Sequence, residues 1–402
     1  MSIKRIETQY FMHTYKRNNL IVKKAKNQFV WDEKGKKYLD FFAGISVCNV
    51  GHCNDAVIRA IKSQIDLYMH ASNLYYSPVQ IKLGQELAKK TFPGTKVFLA
   101  NSGAEANECA IKLARKWGFI NPSKDGNRYE IICFDNSFHG RTMATMAATG
   151  QKKFHEYLKP LQEKFVFAKF NDIESVKKLI NNKTVAVMIE PIQGEGGIFP
   201  ACKKFMKDLR TLCDESNILL IFDEIQCGMG RTGRFYAFEN YGIKPDIVTM
   251  AKSLANGLPL GAAVASKKCA QVFVYGDHGS TFGGNPVSCA SALAVLKIIN
   301  SKFLNNSLKV SKYLFSKLEL LKTKHPIIRE IRGMGLIVGI DLSVSGKDIV
   351  NYCLSKGLII NCTHETVLRL LPALIVTKKD VDTAVKIIDE ALANLYNCKT
   401  NK

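Results

Sequence analysis

None of the twelve cysteines stands in a Cys-x-x-Cys pair, and Cys109, Cys133 and Cys213 fall within apolar patterns. Neither a zinc site nor a disulfide framework is supported, and these thiols read as small buried hydrophobes. No metal is expected. No stretch approaches 18 uninterrupted apolar residues, and the opening MSIKRIETQYFMHTYKRNN has no apolar run of signal-peptide length. The expectation is a soluble, cytoplasmic chain with no membrane partner. Internal repeats and low-complexity linkers are missing as well. Arginine is scarce, with 12 residues against 45 lysines, and the net charge of +22 is scattered along the chain. A nucleic-acid binder would gather its cations with aromatics on one element, so no nucleic-acid partner is expected. The bland reading is a lysine-rich solvated surface, whose positive field also favours encounters with anionic substrates.

What is present is the composition of a folded globular protein, 47% apolar and 23% charged, in a chain of 402 residues. That length suffices for one large core and a smaller satellite. FVWDEKGKKYLDFF predicts an N-terminal hairpin turning at Asp32 to Gly35. Beyond it, strand-like runs alternate with helical patterns: KVFLAN, EIICFD, TVAVMIE, NILLIFD, DIVTMAK and GAAVAS. Such alternation predicts an α/β fold with a mostly parallel sheet covered by helices on both faces. Ligands of such sheets gather at the carboxyl ends of the strands. From Pro286 an apolar-periodic helix leads into a smaller α+β region, and Thr377-x-x-Asp380 resembles a capping box opening the last helix.

Three strand ends carry chemistry. KVFLAN runs into a helix from Ser102, where Ser102 and Glu105 form a capping box and Ala106, Cys109, Ala110, Leu113 and Trp117 make one apolar face. Free N–H groups at a helix start after a strand suit a phosphate, although a capped helix needs no ligand. LLIFDEIQCGMGRTG ends its apolar run at Asp223, and DIVTMAK ends at Lys252. Desolvation would lower the lysine's pKa and make its amine a nucleophile. A phosphate cradle, a carboxylate and a reactive amine at neighbouring strand ends suit pyridoxal 5'-phosphate, whose aldehyde takes a lysine and whose ring nitrogen takes an acid.

At this point the chain resembles the class III aminotransferases, fold-type I enzymes dependent on pyridoxal phosphate, and among them the acetylornithine aminotransferase type. The resemblance runs over nearly the whole chain through NSGAEANECAIKLAR, FHGRTMATMAATG, EPIQGEGG, DEIQCGMGRTG, AKSLANGLPLGA, STFGGNPVSCA and RGMGLIVGI. It implies an N-terminal segment 1–47 packing with the small domain, a large cofactor domain 48–288 and a small α+β domain 289–402. It implies Lys252 as the Schiff-base lysine and proton shuttle, Asp223 on the pyridine nitrogen, and Gln226 by the phenolic oxygen. Ser102, Gly103 and Ala104 would hold the phosphate with Thr281 from a second subunit, which makes a homodimer with shared sites, and Phe138 would stack on the ring. For substrates it implies Arg141 as a carboxylate fork, Ser280 nearby, Arg369 for the alpha-carboxylate of glutamate or 2-oxoglutarate, and Glu195 covering Arg369 in the first half-reaction.

Ile45 stands where similar ornithine aminotransferases carry a tyrosine for the free amino acid end, and an isoleucine tolerates a neutral acylated amine. The implied reaction moves the terminal amine of N2-acetyl-L-ornithine to 2-oxoglutarate, giving N-acetyl-L-glutamate 5-semialdehyde and L-glutamate in arginine synthesis. Succinylornithine and succinyl-diaminopimelate remain open as substrates. GHCND, where the group usually reads Gly-His-Cys-His-Pro, is a departure in a loop. A same-fold aminomutase would keep Lys252 and Asp223 yet need no 2-oxoglutarate. Ornithine or 4-aminobutyrate aminotransferases would prefer the unacylated amine, and a dead basic scaffold would bind DNA instead of a cofactor.

Overall fold

Apolar runs without alternation must be covered on both faces, and the strands Thr184–Ile189, Leu219–Asp223 and Ile247–Met250 are buried at every position. The computed structural model describes residues 2–162 and 164–400, with residues 395–400 described by backbone alone. These strands lie at the centre of a seven-stranded sheet ordered Lys96–Ala100, Gly261–Ala265, Ile247–Met250, Leu219–Asp223, Thr184–Ile189, Glu130–Phe134, Phe165–Ala168. Pairing is parallel except where Gly261–Ala265 runs antiparallel to both neighbours. The physical reason is the short link from Met250 to Gly261, which has room for one 3-10 turn but not for a crossover helix. Glu130–Phe134, one of the expected runs, and Phe165–Ala168, which the sequence reading did not include, complete the parallel set.

A core of Leu113 and Trp117 with Ile131, Val185 and Leu219 covers one part of the sheet, and there are two larger apolar cores. The larger joins sheet residues such as Val187, Leu220, Phe222 and Val248 with Leu83, Leu87, Met206 and Leu209 from the covering helices. The helix Pro286–Ile298 buries Cys289, Ala292 and Val295 in that same core. The smaller core joins Leu314 and Leu318 of the helix Ser301–Lys324 with Val338, Leu368 and Ile388, and also takes in Leu39 and Phe41. Its sheet is ordered Ile328–Met334, Ile337–Leu342, Val367–Leu370, Asn361–Thr363. The expected hairpin forms from Phe29–Asp32 and Lys37–Asp40, and it is extended by Val22–Lys26, which the sequence reading lacks, and by Leu358–Ile359, the start of the apolar run LIINCT. Among the described residues no single helix is long and apolar enough to cross a membrane.

Helix starts follow local chemistry. Thr377 Oγ1 accepts from Asp380 N at 3.3 Å while Asp380 Oδ2 accepts from Thr377 N at 2.8 Å, a reciprocal capping box. Asn54, the departure in GHCND, accepts from Ala56 N and Val57 N and so caps the helix Asp55–Ile65. At the Ser102 helix the box is shifted. Ser102 Oγ accepts from Glu105 N at 3.2 Å, but the Glu105 carboxylate reaches Asn101 N at 2.8 Å instead of the N–H of Ser102.

Residues Ala43–Ser46 form one left-handed turn, with φ of 47°, 65°, 65° and 63° at Ala43, Gly44, Ile45 and Ser46. Val47 N bonds Ala43 O at 2.8 Å across it. Left-handed backbone costs roughly 1–2 kcal/mol per L-residue, so the three non-glycine positions carry about 3–6 kcal/mol that other contacts must offset. A β-branched residue such as Ile45 is an outlier there.

Core packing sets the first expected outcome. Leu220 is fully buried on a central strand, so Leu220→Ala should destabilise the chain by about 2–5 kcal/mol. A urea titration checks this, and a loss below about 1 kcal/mol would contradict a close-packed strand centre.

Candidate active site

Three strands that run in one direction end at one edge of the sheet, Leu219–Asp223 beside Ile247–Met250 and Lys96–Ala100 beyond the antiparallel Gly261–Ala265. Asp223 is the last residue of Leu219–Asp223, and Gly103 opens the helix Gly103–Ile120 just after Lys96–Ala100. Lys252 does not close its strand as the sequence suggested. The strand stops at Met250, and Lys252 begins the 3-10 turn Lys252–Ala255 with φ +45°. That strained conformation turns its side chain into a cavity of 450 Å³, a size suited to a small cofactor. Ser102, Gly103, Ala104, Phe138, Arg141, Asp223, Gln226 and Lys252 all line it.

Asp223 answers for most of the buried polarity. Its Oδ1 accepts from Ile225 N at 3.0 Å, and its Oδ2 accepts from Asn107 Nδ2 at 2.8 Å and from His139 Nδ1 at 2.9 Å. Thr249 Oγ1 in turn donates to Asn107 Oδ1 at 2.7 Å, which fixes the orientation of the amide. Neighbouring Glu224 points the other way and accepts from Ala237 N and Phe238 N, both at 2.7 Å. Burial pushes Glu224 up to about 8, its role being to hold that loop.

Glu190 is the second buried carboxylate on the cavity wall. Its Oε2 accepts from Phe138 N at 3.0 Å and its Oε1 from Gly194 N at 3.2 Å, so it ties an aromatic wall to the loop that carries Glu195. Burial raises it to about 7, with Asp223 adding to the rise and His139 opposing it. Asn107, His139 and Glu190 were not singled out from the sequence. Glu190 closes an apolar strand as Asp223 does, and Asn107 is a polar residue on the apolar face of the Ser102 helix. Those two signals were legible.

Beside the cavity stands an ion pair. Arg369 Nη1 donates to Glu195 Oε1 at 2.5 Å and to Gln226 Oε1 at 3.3 Å, while Arg369 Nε donates to Asn361 Oδ1 at 3.0 Å. Gln226 Nε2 also donates to Glu195 Oε1 at 3.2 Å. Burial alone would raise Glu195, but Arg369 and then Lys252 outweigh it and hold the carboxyl below its usual range. Arg141 differs: it is exposed, makes no ion pair among the described residues, and lies over the rings of Phe154 at 4.1 Å and Phe138 at 5.6 Å.

Three expected residues lie elsewhere in this single chain. Thr281 borders a separate cleft with His70, Asn73 and Phe282. Ser280 Oγ accepts from Asn101 Nδ2 and from Gly283 N, both at 3.0 Å, which turns the hydroxyl to its own loop and away from the cavity. Ile45 packs against the cluster of Ile192, Ile198 and Leu371, and Val47, just after its turn, lines the cavity.

The donor set fits pyridoxal 5'-phosphate. Lys252 Nζ has no hydrogen-bond partner among the described residues, and His139 Nε2 is buried without one. The N–H groups of Gly103 and Ala104 open a helix and have no preceding turn to bond. A Cβ on Gly103 would meet Ile225 Cδ1 at 2.8 Å, so a larger residue there would have to displace the Ile225 side chain. No cluster among the described residues could hold a metal ion.

Burial lowers the Lys252 pKa, with Glu195 opposing. The unfolded chain therefore holds more protons than the native one below the ordinary lysine range, and stability must rise with pH there. Apo Lys252→Met should be more stable than the apo wild type at neutral pH, with the gap narrowing as pH rises toward 10. Thermal melts across that series check it, and a gap that widens would contradict a desolvated amine.

The description "Aminotransferase class-III" belongs to the family whose pattern matches residues 10–392. The acetylornithine aminotransferase of Methanocaldococcus jannaschii is 48% identical over 391 residues, covering 97% of this chain and 98% of that one. That of Clostridium acetobutylicum is 45% identical over 385 residues, covering 95% and 99%. Among solved structures, ornithine aminotransferase from Toxoplasma gondii superposes with a TM-score of 0.93 at 30% identity, covering 98% of this chain and 95% of its own. Because family pattern, sequence and fold agree along almost the whole length, the chain belongs to the class III aminotransferases.

Proposed function

We propose that this chain transfers the terminal amino group of N2-acetyl-L-ornithine to 2-oxoglutarate, reversibly, giving N-acetyl-L-glutamate 5-semialdehyde and L-glutamate, a step of arginine synthesis. The observation that carries this reading is that relatives named acetylornithine aminotransferase are 44–48% identical over at least 95% of the chain. Ornithine aminotransferase structures superpose with TM-scores of 0.87 and 0.93 but at 30% identity, which shows the shared fold without ranking the substrates.

Pyridoxal 5'-phosphate, when bound, supplies a ring that draws electrons from the carbon bearing the amine. The N–H groups of Gly103 and Ala104, with Ser102, would hold its phosphate, and Phe138 would stack on its ring. Asp223 would keep a proton on the ring nitrogen, and its bonds to Asn107 and His139 fix the carboxylate in position. Gln226 would serve the phenolic oxygen. Lys252, whose pKa burial lowers, would take the proton from the substrate carbon and return it. Arg141 offers a free guanidinium to the substrate carboxylate at the far end, with Ser280 nearby. Glu195 neutralises Arg369 while an omega-amine occupies the site, and releases it when the alpha-carboxylate of 2-oxoglutarate arrives. The 2.5 Å pair supports the first state of that exchange.

A second copy of the chain completes the site. Thr281 does not reach its own cavity; exposed Phe282 lines its cleft, and the chain between the cleft residues Asn73 and Ser77 exposes Leu74, Tyr75 and Tyr76, apolar surface of the kind buried between subunits. A cytoplasmic homodimer is therefore our reading of the assembly.

The deciding experiment is a single turnover of the pyridoxal-phosphate-loaded protein with acetylornithine and no keto acid. One equivalent of semialdehyde per site should appear, followed by glutamate when 2-oxoglutarate is added. Product only with ornithine or 4-aminobutyrate would overturn the substrate. Product without any need for 2-oxoglutarate in later turnovers would mark an aminomutase. Lys252→Ala should abolish turnover, by at least about 10³-fold in kcat, while circular dichroism shows a folded chain. In Arg369→Lys the 2-oxoglutarate half-reaction should slow at least about tenfold more than the acetylornithine one, because lysine cannot form the planar fork. Equal losses in stopped-flow half-reactions would contradict the exchange at Glu195.

A further inference from the structure

The left-handed turn Ala43–Ser46 is strained, yet it touches three parts of the site. Phe42, just before it, lies 6.0 Å under the Arg369 guanidinium; Val47, just after it, lines the Lys252 cavity. Ser46 Oγ donates to the main-chain oxygen of Gln226 at 3.1 Å. Something must hold these four residues in a conformation that L-amino acids avoid. The Asp40 carboxylate secures the start of the turn, accepting from Phe42 N at 2.8 Å and Ala43 N at 2.9 Å. The other end rests on Arg231.

Arg231 is fully buried, and among the described residues none of its hydrogen bonds goes to a carboxylate. Its Nε donates to Ser46 Oγ at 2.9 Å and its Nη2 to Asn49 Oδ1. Its Nη1 donates to Leu336 O at 2.9 Å and Pro372 O at 2.5 Å. One planar guanidinium thus joins the N-terminal turn to two segments of the smaller core, and its own carbonyl accepts from Leu336 N at 2.9 Å. A buried cation satisfied only by neutral acceptors is a costly way to tie segments together, and a structure that keeps one uses its directionality. Lysine could not span the four acceptors.

We propose that Arg231 is a positioning residue for substrate selection: through Ser46 it holds the left-handed turn as a rigid wall of the substrate tail site. The inference rests on the acetylornithine reading and deepens it. A rigid apolar wall at Val47 gives contact to an acyl group. A free ammonium stays hydrated and gains nothing from that wall. Loosening the turn therefore costs the acylated substrate more than the free amine.

Arg231→Lys would disrupt folding as well as positioning, so the deciding variant is Ser46→Gly. Glycine accepts the positive φ without strain, which keeps the turn affordable, while the hydroxyl link to Arg231 and Gln226 is lost. The test uses the cofactor-loaded full chain. The melting temperature should stay within about 3 °C of the wild type. Amide exchange at residues 45–48 should quicken about tenfold, with the strand Leu219–Asp223 unchanged. The ratio of kcat/KM for acetylornithine over ornithine should fall about tenfold, mainly through KM for acetylornithine. A ratio within about twofold of the wild type, or equal losses for both substrates, overturns the inference. A wild type with no preference for acetylornithine would instead overturn the functional reading, and it is measured before any variant.

Discussion

Removing water from the carboxyl edge of the parallel sheet is the constraint on which the remaining structure depends. Strands buried on both faces carry Asp223 and Glu190 at their ends, and the adjoining 3-10 turn carries Lys252 into the same dry space. An unpaired charge there would neutralise or destabilise the fold. Each carboxylate is therefore met by fixed donors: Asn107, His139 and Ile225 N for Asp223, and Phe138 N with Gly194 N for Glu190. The same desolvation that requires those donors lowers the Lys252 pKa. Stability and reactivity thus arise from one cause.

A second consequence is that the site belongs to neither core alone. Glu195 leaves the large sheet on the loop after Glu190, while Arg369 stands on Val367–Leu370 of the small one, and their ion pair closes the gap between them. Asn361, the cross-strand partner of Arg369, orients the guanidinium from within the small sheet. Arg231 repeats the pattern one layer away, joining Ser46 and Asn49 to Leu336 and Pro372. Two buried arginines in a chain that uses lysine on its surface reflect chemistry: only a planar fork satisfies several acceptors at once without losing its charge.

Much of this was legible locally. The alternation of apolar runs and helical patterns gave the mostly parallel sheet, and Asp223, Lys252 and the Ser102 cap were found because each interrupts or ends a periodic pattern. Smaller features escaped. Val22–Lys26 is largely exposed and lysine-rich, so no apolar alternation marked it. The Glu105 carboxylate chose Asn101 over Ser102, a choice made by loop geometry. The left-handed turn has no sequence signal beyond Gly44, since Ala43, Ile45 and Ser46 ordinarily avoid that backbone.

The sequence by itself determined the elements, the helix caps and the residue types that suit the cofactor, because periodicity, capping and strand ends act over a few neighbouring residues. Only the tertiary structure decided that Asn107, His139 and Glu190 share the desolvated edge with Asp223, that Val47 rather than Ile45 faces the cavity, and that Thr281 lies outside it. Those outcomes depend on where segments more than a hundred residues apart meet, as Asn107 meets Asp223 and Ser46 meets Arg231. Such meetings are fixed by the sheet order and by the need of every buried polar group for a partner.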